Sequence, residues 1–142
     1  MLPTVLQRFT EVYQSLAKDN LSTLQTVYSP DISFQDPLHQ VQGYAEFEAY
    51  FARLYTHLTS CRFEIKNLFY QDQQACVIWI MTFVHPRLNS GQPVRVEGAS
   101  HLQFNDDYIE KHRDYTDLGQ MLYEQIPVLG AVIRTLKKRA VV

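Results

Sequence analysis

Asp36, His112 and Asp114 have the residue types and spacing for acid–base chemistry. Asp36 follows Ile32 and Phe34 at alternate positions, so the three share one face if the segment is a strand. If Ile32 and Phe34 mark the buried face, Asp36 projects into an apolar interior, where loss of hydration favours the neutral acid. A carboxylate in that setting is a candidate general base.

The same residue also fits a structural role. Asp36 is followed by Pro37, and Asp-Pro commonly starts a turn. In this alternative the carboxylate faces water or caps the turn. The local sequence leaves both interpretations open.

His112 and Asp114 lie two residues apart in a predicted last strand, residues 108–115, and therefore share a face. Ile109 and Tyr115 lie on the opposite face. If the Ile109 face is buried, the histidine and the carboxylate are solvated. If instead the polar face lines a pocket, they form an acid–base pair near the first carboxylate. Periodicity alone does not decide between these alternatives.

The elements that must position these residues follow from changes in the apolar period. A helical period predicts helices over residues 3–17, about 20–28 and 44–58, and a period of two then predicts strands over 61–70, 75–84, 92–104 and 108–115. The tail to residue 138 predicts two short helices separated at Pro127. Three helices followed by an antiparallel meander predict an α+β fold, in which a bent sheet wraps the N-terminal helices around a conical cavity. We expect one domain over 1–142, with a core at about 5–118 and a helical extension over 118–139.

Composition excludes several functional classes. The chain has 142 residues, of which 46% are hydrophobic and 13% aromatic, and its formal charge of −2 gives no electrostatic reason to bind nucleic acid. The basic cluster 134–139 suits the last turn of a helix, with a membrane or phosphate contact as the weaker alternative. We find no spanning apolar run, no signal peptide and no metal-ligand or phosphate-loop motif. Cys61 and Cys76 fall at non-facing positions of consecutive strands, which predicts free thiols and a soluble, cytoplasmic protein.

Four segments together resemble the nuclear-transport-factor-2-like superfamily, in its SnoaL-like and ketosteroid-isomerase-like branch. They are residues 28–37 (YSPDISFQDP), Gly43, residues 98–105 (GASHLQFN) and residues 112–117 (HRDYTD). The resemblance covers about residues 5–118. It implies a curved sheet folded over helices as a cone, an apolar pocket that takes a small-molecule ligand, no cofactor and no metal, and often a homodimer packed through the sheet.

The resemblance also assigns roles to residues. Asp36 matches the general base of ketosteroid isomerases, and the position of their helix-one tyrosine falls on Val12, beside Tyr13. Their protonated acid falls on Ser100, so both oxyanion donors are altered and strict steroid isomerisation is not expected. The closing motif resembles SnoaL-like and limonene-epoxide-hydrolase-like members, which implies that Asp114 and His112 face the pocket. The charged pair required for epoxide hydrolysis is missing from 75–84. The catalytic candidates are thus Asp36, His112 and Asp114, and the expected ligand contacts are Tyr13, Phe34, His39, Phe51, Tyr55, Trp79, Ser100 and Leu102.

These expectations favour a cofactor-free isomerase or cyclase that moves protons on an apolar carbonyl compound of polyketide, steroid or terpenoid type. The alternative is a non-catalytic ligand-binding module or dimeric scaffold on the same fold. The predicted tail helices would either close the mouth of the cone or extend a dimer contact.

Overall fold

The computed structural model describes residues 1–141. This part of the chain forms a single curved sheet and four α-helices, one of which lies between the second and third strands in the sequence. The helices are α1 (Thr4–Gln14), α2 (Tyr44–Thr56), α3 (Leu118–Met121) and α4 (Leu129–Ala140). The strands are β1 (Tyr28–Gln35), β2 (Gln40–Gln42), β3 (Ser60–Gln71), β4 (Gln74–Val84), β5 (Val94–Phe104) and β6 (Ile109–Thr116). Short 3₁₀ turns cover Leu21–Thr26, Asn89–Gly91 and Tyr123–Gln125. The α+β class is confirmed.

The sheet has the order β2-β1-β6-β5-β4-β3. Strands β3 to β6 form the predicted antiparallel meander. β1 adds to its edge in parallel with β6, and β2 pairs antiparallel with β1, so the complete sheet is mixed rather than wholly antiparallel. The parallel pairing places Phe34 opposite His112, and this brings the two predicted catalytic segments together.

The N-terminal segments differ in three ways from the sequence prediction. The predicted second helix is only the 3₁₀ turn Leu21–Thr26, in which the hydroxyls of Thr23 and Thr26 donate to carbonyls three residues earlier, as the tighter spacing allows. β1 already begins at Tyr28, which the sequence placed at a helix end. Before residue 44 the sequence predicts no strand beyond the segment that ends at Asp36, but β2 forms at Gln40–Gln42, and Gly43, at φ 86°, then turns the chain into α2.

One face of the sheet is buried against α1 and α2. Phe9 of α1, Phe47 of α2, and Ile32 and Phe34 of β1 all belong to this core, each no more than 2% exposed. Burial of large apolar side chains contributes about 1.5–3 kcal/mol each to folding. This packing fixes the side of the sheet on which the inward-facing polar groups lie.

An irregularity in β6 explains why its faces could not be assigned from the period. His112 pairs with Leu102 and Lys111 with Gln103, but Ile109 pairs with Phe104, so Glu110 is an extra residue in the ladder. Ile109 and His112 are therefore both buried, at 0% and 3% exposure, although they are three residues apart.

The tail follows the prediction of helices broken near Pro127, as α3, a 3₁₀ turn and α4. Neither α4 nor any other described helix has both the length and the apolarity to cross a bilayer. Cys61 lies opposite Phe83 and Cys76 opposite Phe69, and both thiols are free.

Candidate active site

A cavity of about 310 Å³ lies between α2, the inner face of the sheet and the segment that follows β6. Its walls are mainly aromatic and aliphatic, with Phe51 from α2 and Trp79, Met81 and Phe83 from β4. Met121 and Leu122 border it, so the chain after β6 helps to enclose it. A second space of about 30 Å³ lies among the buried side chains of Tyr13, Ser100 and His112. Asp114 lines both spaces.

Six side chains, which we call the polar chain, connect α1 to the sheet by hydrogen bonds. They are Tyr13, Tyr28, His112, Asp114, Ser100 and Trp79. The Tyr13 and Tyr28 hydroxyl oxygens are 2.6 Å apart, and the Tyr28 hydroxyl lies 2.7 Å from His112 Nδ1. On the other side of the ring, His112 Nε2 lies 2.6 Å from Asp114 Oδ1.

Asp114 Oδ1 accepts a second bond from the Ser100 hydroxyl at 2.5 Å, and Trp79 Nε1 donates to Ser100 Oγ at 2.8 Å. No donor among the described residues bonds to Asp114 Oδ2, and the side chain keeps 20% of its exposure. One carboxylate oxygen thus takes both hydrogen bonds, while the other has no partner among the described residues, in a side chain that lines the cavity.

These contacts assign a direction to the chain. An ionised Asp114 only accepts, so His112 Nε2 carries a proton and Nδ1 of the neutral imidazole accepts from Tyr28. Tyr13 then donates to Tyr28. Burial raises the pKa of both tyrosines well above the ordinary value of 10.0, which keeps them protonated donors. The polar chain therefore directs the Nε2 proton of His112 at the carboxylate of Asp114.

Asp36 has different surroundings. Its Oδ1 accepts the backbone N–H groups of Leu38 at 2.8 Å and His39 at 2.7 Å, and its Oδ2 accepts the Tyr50 hydroxyl at 2.5 Å. Burial, followed by the bond to Asp36, raises the pKa of Tyr50 above its usual range, so Tyr50 stays a donor. The side chain is partly exposed and borders the cavity. Asp36 thus combines features of both interpretations that the sequence left open, because it caps a turn and also lines the cavity.

The predicted ligand contacts divide into three groups. Phe34, Phe51, Tyr55 and Trp79 line the larger cavity, and Tyr13 and Ser100 line the smaller one. His39 is exposed and lies outside the lining, where its ring packs at a tilt against Tyr50 with centroids 5.2 Å apart. Leu102 is fully buried in the core and lines neither space.

Two polar residues of the site escaped the sequence analysis. The sequence prediction places Tyr28 at a helix end and gives Tyr50 no role in the site. Tyr50 lies three residues after Phe47 and one before Phe51, a helical spacing that could have placed it inward. No comparable signal was available for Tyr28, whose role depends on the pairing of β1 with β6.

Thiols and metal ligands add little to the site. Burial raises the pKa of Cys61, which borders the cavity, to about 11, although the nearby Tyr55 hydroxyl partly offsets this, so the thiol stays protonated. Among residues 1–141, no three His, Cys, Asp or Glu side chains converge in a way that could hold a metal ion.

Comparisons with known proteins agree with this architecture. Residues 9–112 match the family model for the SnoaL-like domain. No curated protein sequence matches the chain significantly.

Several solved structures share the fold at low identity. An NTF2-like protein of unknown function from Burkholderia pseudomallei superposes with a TM-score of 0.77 at 15% identity, covering 89% of this chain and 100% of the other. A protein from Catenulispora acidiphila with a ketosteroid-isomerase-like fold, in complex with trimethylamine, has a TM-score of 0.75 at 15% identity, with 89% and 96% covered. A protein from Jannaschia sp. CCS1, proposed to be a SnoaL-like polyketide cyclase, has a TM-score of 0.73 at 16% identity, with 87% and 92% covered.

Proposed function

The chain belongs to the SnoaL-like domain family, and from that premise we propose that it binds an apolar carbonyl compound and catalyses proton transfer on it without a cofactor. The observation that carries the proposal is the unbonded oxygen of Asp114, in a carboxylate that lines the cavity and whose other oxygen is fixed by His112 and Ser100. A positioned base in an apolar cavity is suited to removing a proton from carbon next to a carbonyl group.

Asp114 is a better proton acceptor in this scheme than Asp36, the base expected from the family resemblance. Asp36 accepts three hydrogen bonds that use both of its oxygens, so neither oxygen is left without a partner. Asp114 accepts two, both at one oxygen, so its second oxygen can approach a substrate carbon. Asp36 then shapes the cavity wall and holds Tyr50.

The reaction we propose has two proton transfers. Asp114 Oδ2 takes a proton from the carbon next to a carbonyl, which gives an enolate. In isomerisation the protonated Asp114 returns this proton at another carbon. In ring closure the enolate carbon attacks a second carbonyl, and the protonated Asp114 gives the proton to the alkoxide that forms there. His112 keeps its Nε2 proton directed at Asp114 Oδ1 and stabilises the carboxylate between turnovers.

The substrate class follows from how the remaining donors are used. The Tyr13 hydroxyl is bonded to the Tyr28 hydroxyl, and the Ser100 hydroxyl donates to Asp114, so both of these hydroxyls already have partners inside the polar chain. A substrate with a second activating group beside the acidic carbon needs the least help of this kind. This favours a polyketide-like compound with neighbouring carbonyl groups over a simple steroid. The proposed cyclase of similar fold supports the same class.

The proposal can be tested without knowing the natural substrate. 2-Tetralone carries activated hydrogens next to its carbonyl, and proton NMR in D₂O measures their exchange for deuterium. Wild-type protein should accelerate the exchange above the buffer rate. Asp114→Asn should lower the catalysed rate by about 100-fold or more, since a general base contributes at least that much. Binding of the ketone without any catalysed exchange would favour the non-catalytic ligand-binding alternative.

A further inference from the structure

The cavity has a second polar region, which the proposed chemistry does not use. His57, at the C-terminal end of α2, and His85, just beyond β4, both line it. The backbone N–H of Thr59 donates to the Val84 carbonyl at 2.8 Å, and this bond joins the ends of the two elements that carry the histidines. Leu58 and Leu88 lie beside them in the wall. Two imidazoles thus border the same otherwise apolar end of the cavity.

The tautomer of His85 is fixed by its neighbour. His85 Nδ1 accepts the backbone N–H of Arg87 at 3.0 Å, so the neutral ring carries its proton on Nε2. His85 is partly buried, whereas His57 is exposed. The neutral ring of His85 therefore offers its Nε2 N–H as a donor at this end of the cavity.

This end is remote from the proposed base. Asp114 pairs with Ser100, which in turn pairs with Val77 of β4, and His85 lies eight positions further along the chain. At about 3.3 Å per residue this corresponds to roughly 26 Å of curved strand, and the straight path through the cavity is shorter. On the helix side, His57 lies seven positions after Tyr50, which corresponds to about 10 Å. Both carboxylates of the lining, Asp36 and Asp114, belong to the opposite region.

We infer that His57 and His85 form a subsite for an anionic or strongly hydrogen-bond-accepting oxygen group of the ligand, such as a carboxylate. The inference rests on the proposed function and refines it, because the ligand would then be elongated, with its reactive carbonyl at Asp114 and an acidic group at the far end. The separation of the two histidines from the two carboxylates would orient the ligand, because an anionic group placed near Asp36 and Asp114 would be repelled.

Two fluorescent dyes test this subsite. N-phenyl-1-naphthylamine is neutral, and 8-anilino-1-naphthalenesulfonate has the same ring system with a sulfonate added. Both dissociation constants are measured in the same buffer. Binding of the neutral dye tests the apolar cavity, and the ratio of the two constants tests the histidine end.

Wild type should bind the sulfonate more tightly than the neutral dye. His85→Leu and His57→Leu should each reduce that preference by about three- to tenfold, because each removes a donor to a charged group. His85→Gln, which retains an N–H donor, should keep part of the preference. His101→Gln is the matched control, since His101 bonds to Gln74 outside the cavity lining and should leave the preference unchanged.

An unchanged preference in both leucine variants would overturn the subsite while leaving ligand binding intact. An equal loss in the His101 variant would overturn it as well, because the preference would then come from the general charge of the surface. Failure of wild type to bind either dye would contradict the apolar binding cavity itself, and the subsite with it.

Discussion

Asp36 and Asp114 are two carboxylates on one cavity, held in contrasting ways. Asp36 lies in a loop, where backbone N–H groups and Tyr50 occupy both of its oxygens. Asp114 lies in β6, where His112 and Ser100 occupy one oxygen and leave the other open. The hydrogen bonds of Asp36 organise the loop between β1 and β2, whereas those of Asp114 fix the direction of a side chain that remains available to a ligand.

This contrast shows that position beside a cavity does not define a base. The number and placement of hydrogen bonds decide whether a carboxylate is stabilised as an ion or left able to take a proton. Family resemblance directs attention to Asp36, while the hydrogen-bond partners direct it to Asp114. The two residues therefore offer matched isosteric substitutions whose effects should differ in sign or size.

The largest difference in stability should appear between Asp36→Asn and Asp114→Asn. The first replaces a charged acceptor of two backbone donors and Tyr50, and we expect a loss of about 1–3 kcal/mol in the free energy of unfolding. The second keeps a neutral oxygen for His112 and Ser100 and removes a charge from an apolar cavity, so we expect equal or greater stability. Urea unfolding at neutral pH measures both.

The contrast would be broken if the two variants lost similar free energy, because Asp114 would then be as structural as Asp36. Tyr50→Phe sharpens it. This change removes the donor to Asp36 Oδ2 and leaves the loop amides in place, so its cost should account for only part of the Asp36→Asn effect.

The polar chain should have a smaller effect, which is on the free energy of unfolding at alkaline pH. Burial raises the pKa of Tyr28 above the ordinary 10.0, so between these two values the unfolded chain loses a proton that the folded chain keeps. The stability supplied by the neutral hydroxyl is fully present below pH 10 and declines as pH rises toward the folded-state pKa, by about 1.4 kcal/mol per pH unit. Tyr28→Phe removes this proton, so above pH 10 its free energy of unfolding should fall less steeply with pH than that of wild type. Urea unfolding between about pH 9 and about pH 11 measures the two slopes.

Tyr115→Phe provides the control for this measurement. Tyr115 is 53% exposed and lies outside the polar chain, so its removal should leave the slope unchanged. Equal slopes for wild type and Tyr28→Phe would show that Tyr28 titrates alike in the folded and unfolded protein. This result would contradict the burial of Tyr28 within the polar chain.

Much of the fold could be predicted because its apolar periods are long and regular. The meander of β3 to β6 and the helices α1 and α2 each follow from residues that repeat over eight or more positions. β2 has only three residues, and the parallel pairing of β1 with β6 joins segments about 80 positions apart, so neither leaves a local pattern.

The candidate site could be predicted only in part, for similar reasons. Asp36, His112 and Asp114 were found by residue type, but the face of β6 depends on the extra residue Glu110, which no period reveals. Tyr28 takes part only because β1 lies beside β6, and hydrogen-bond saturation of Asp36 depends on how its own loop folds back. Such features belong to tertiary contacts rather than to sequence spacing.

The most direct test of the account compares the catalysed deuterium exchange of 2-tetralone in wild type, Asp36→Asn and Asp114→Asn under one set of conditions. With Asp114 as the base, its substitution should lower the rate by about 100-fold or more, and the Asp36 substitution by less than about tenfold. Circular dichroism on the same samples confirms that each variant is folded. Loss of exchange in folded Asp36→Asn with full exchange in Asp114→Asn would contradict the account and return the role of base to the residue in the loop.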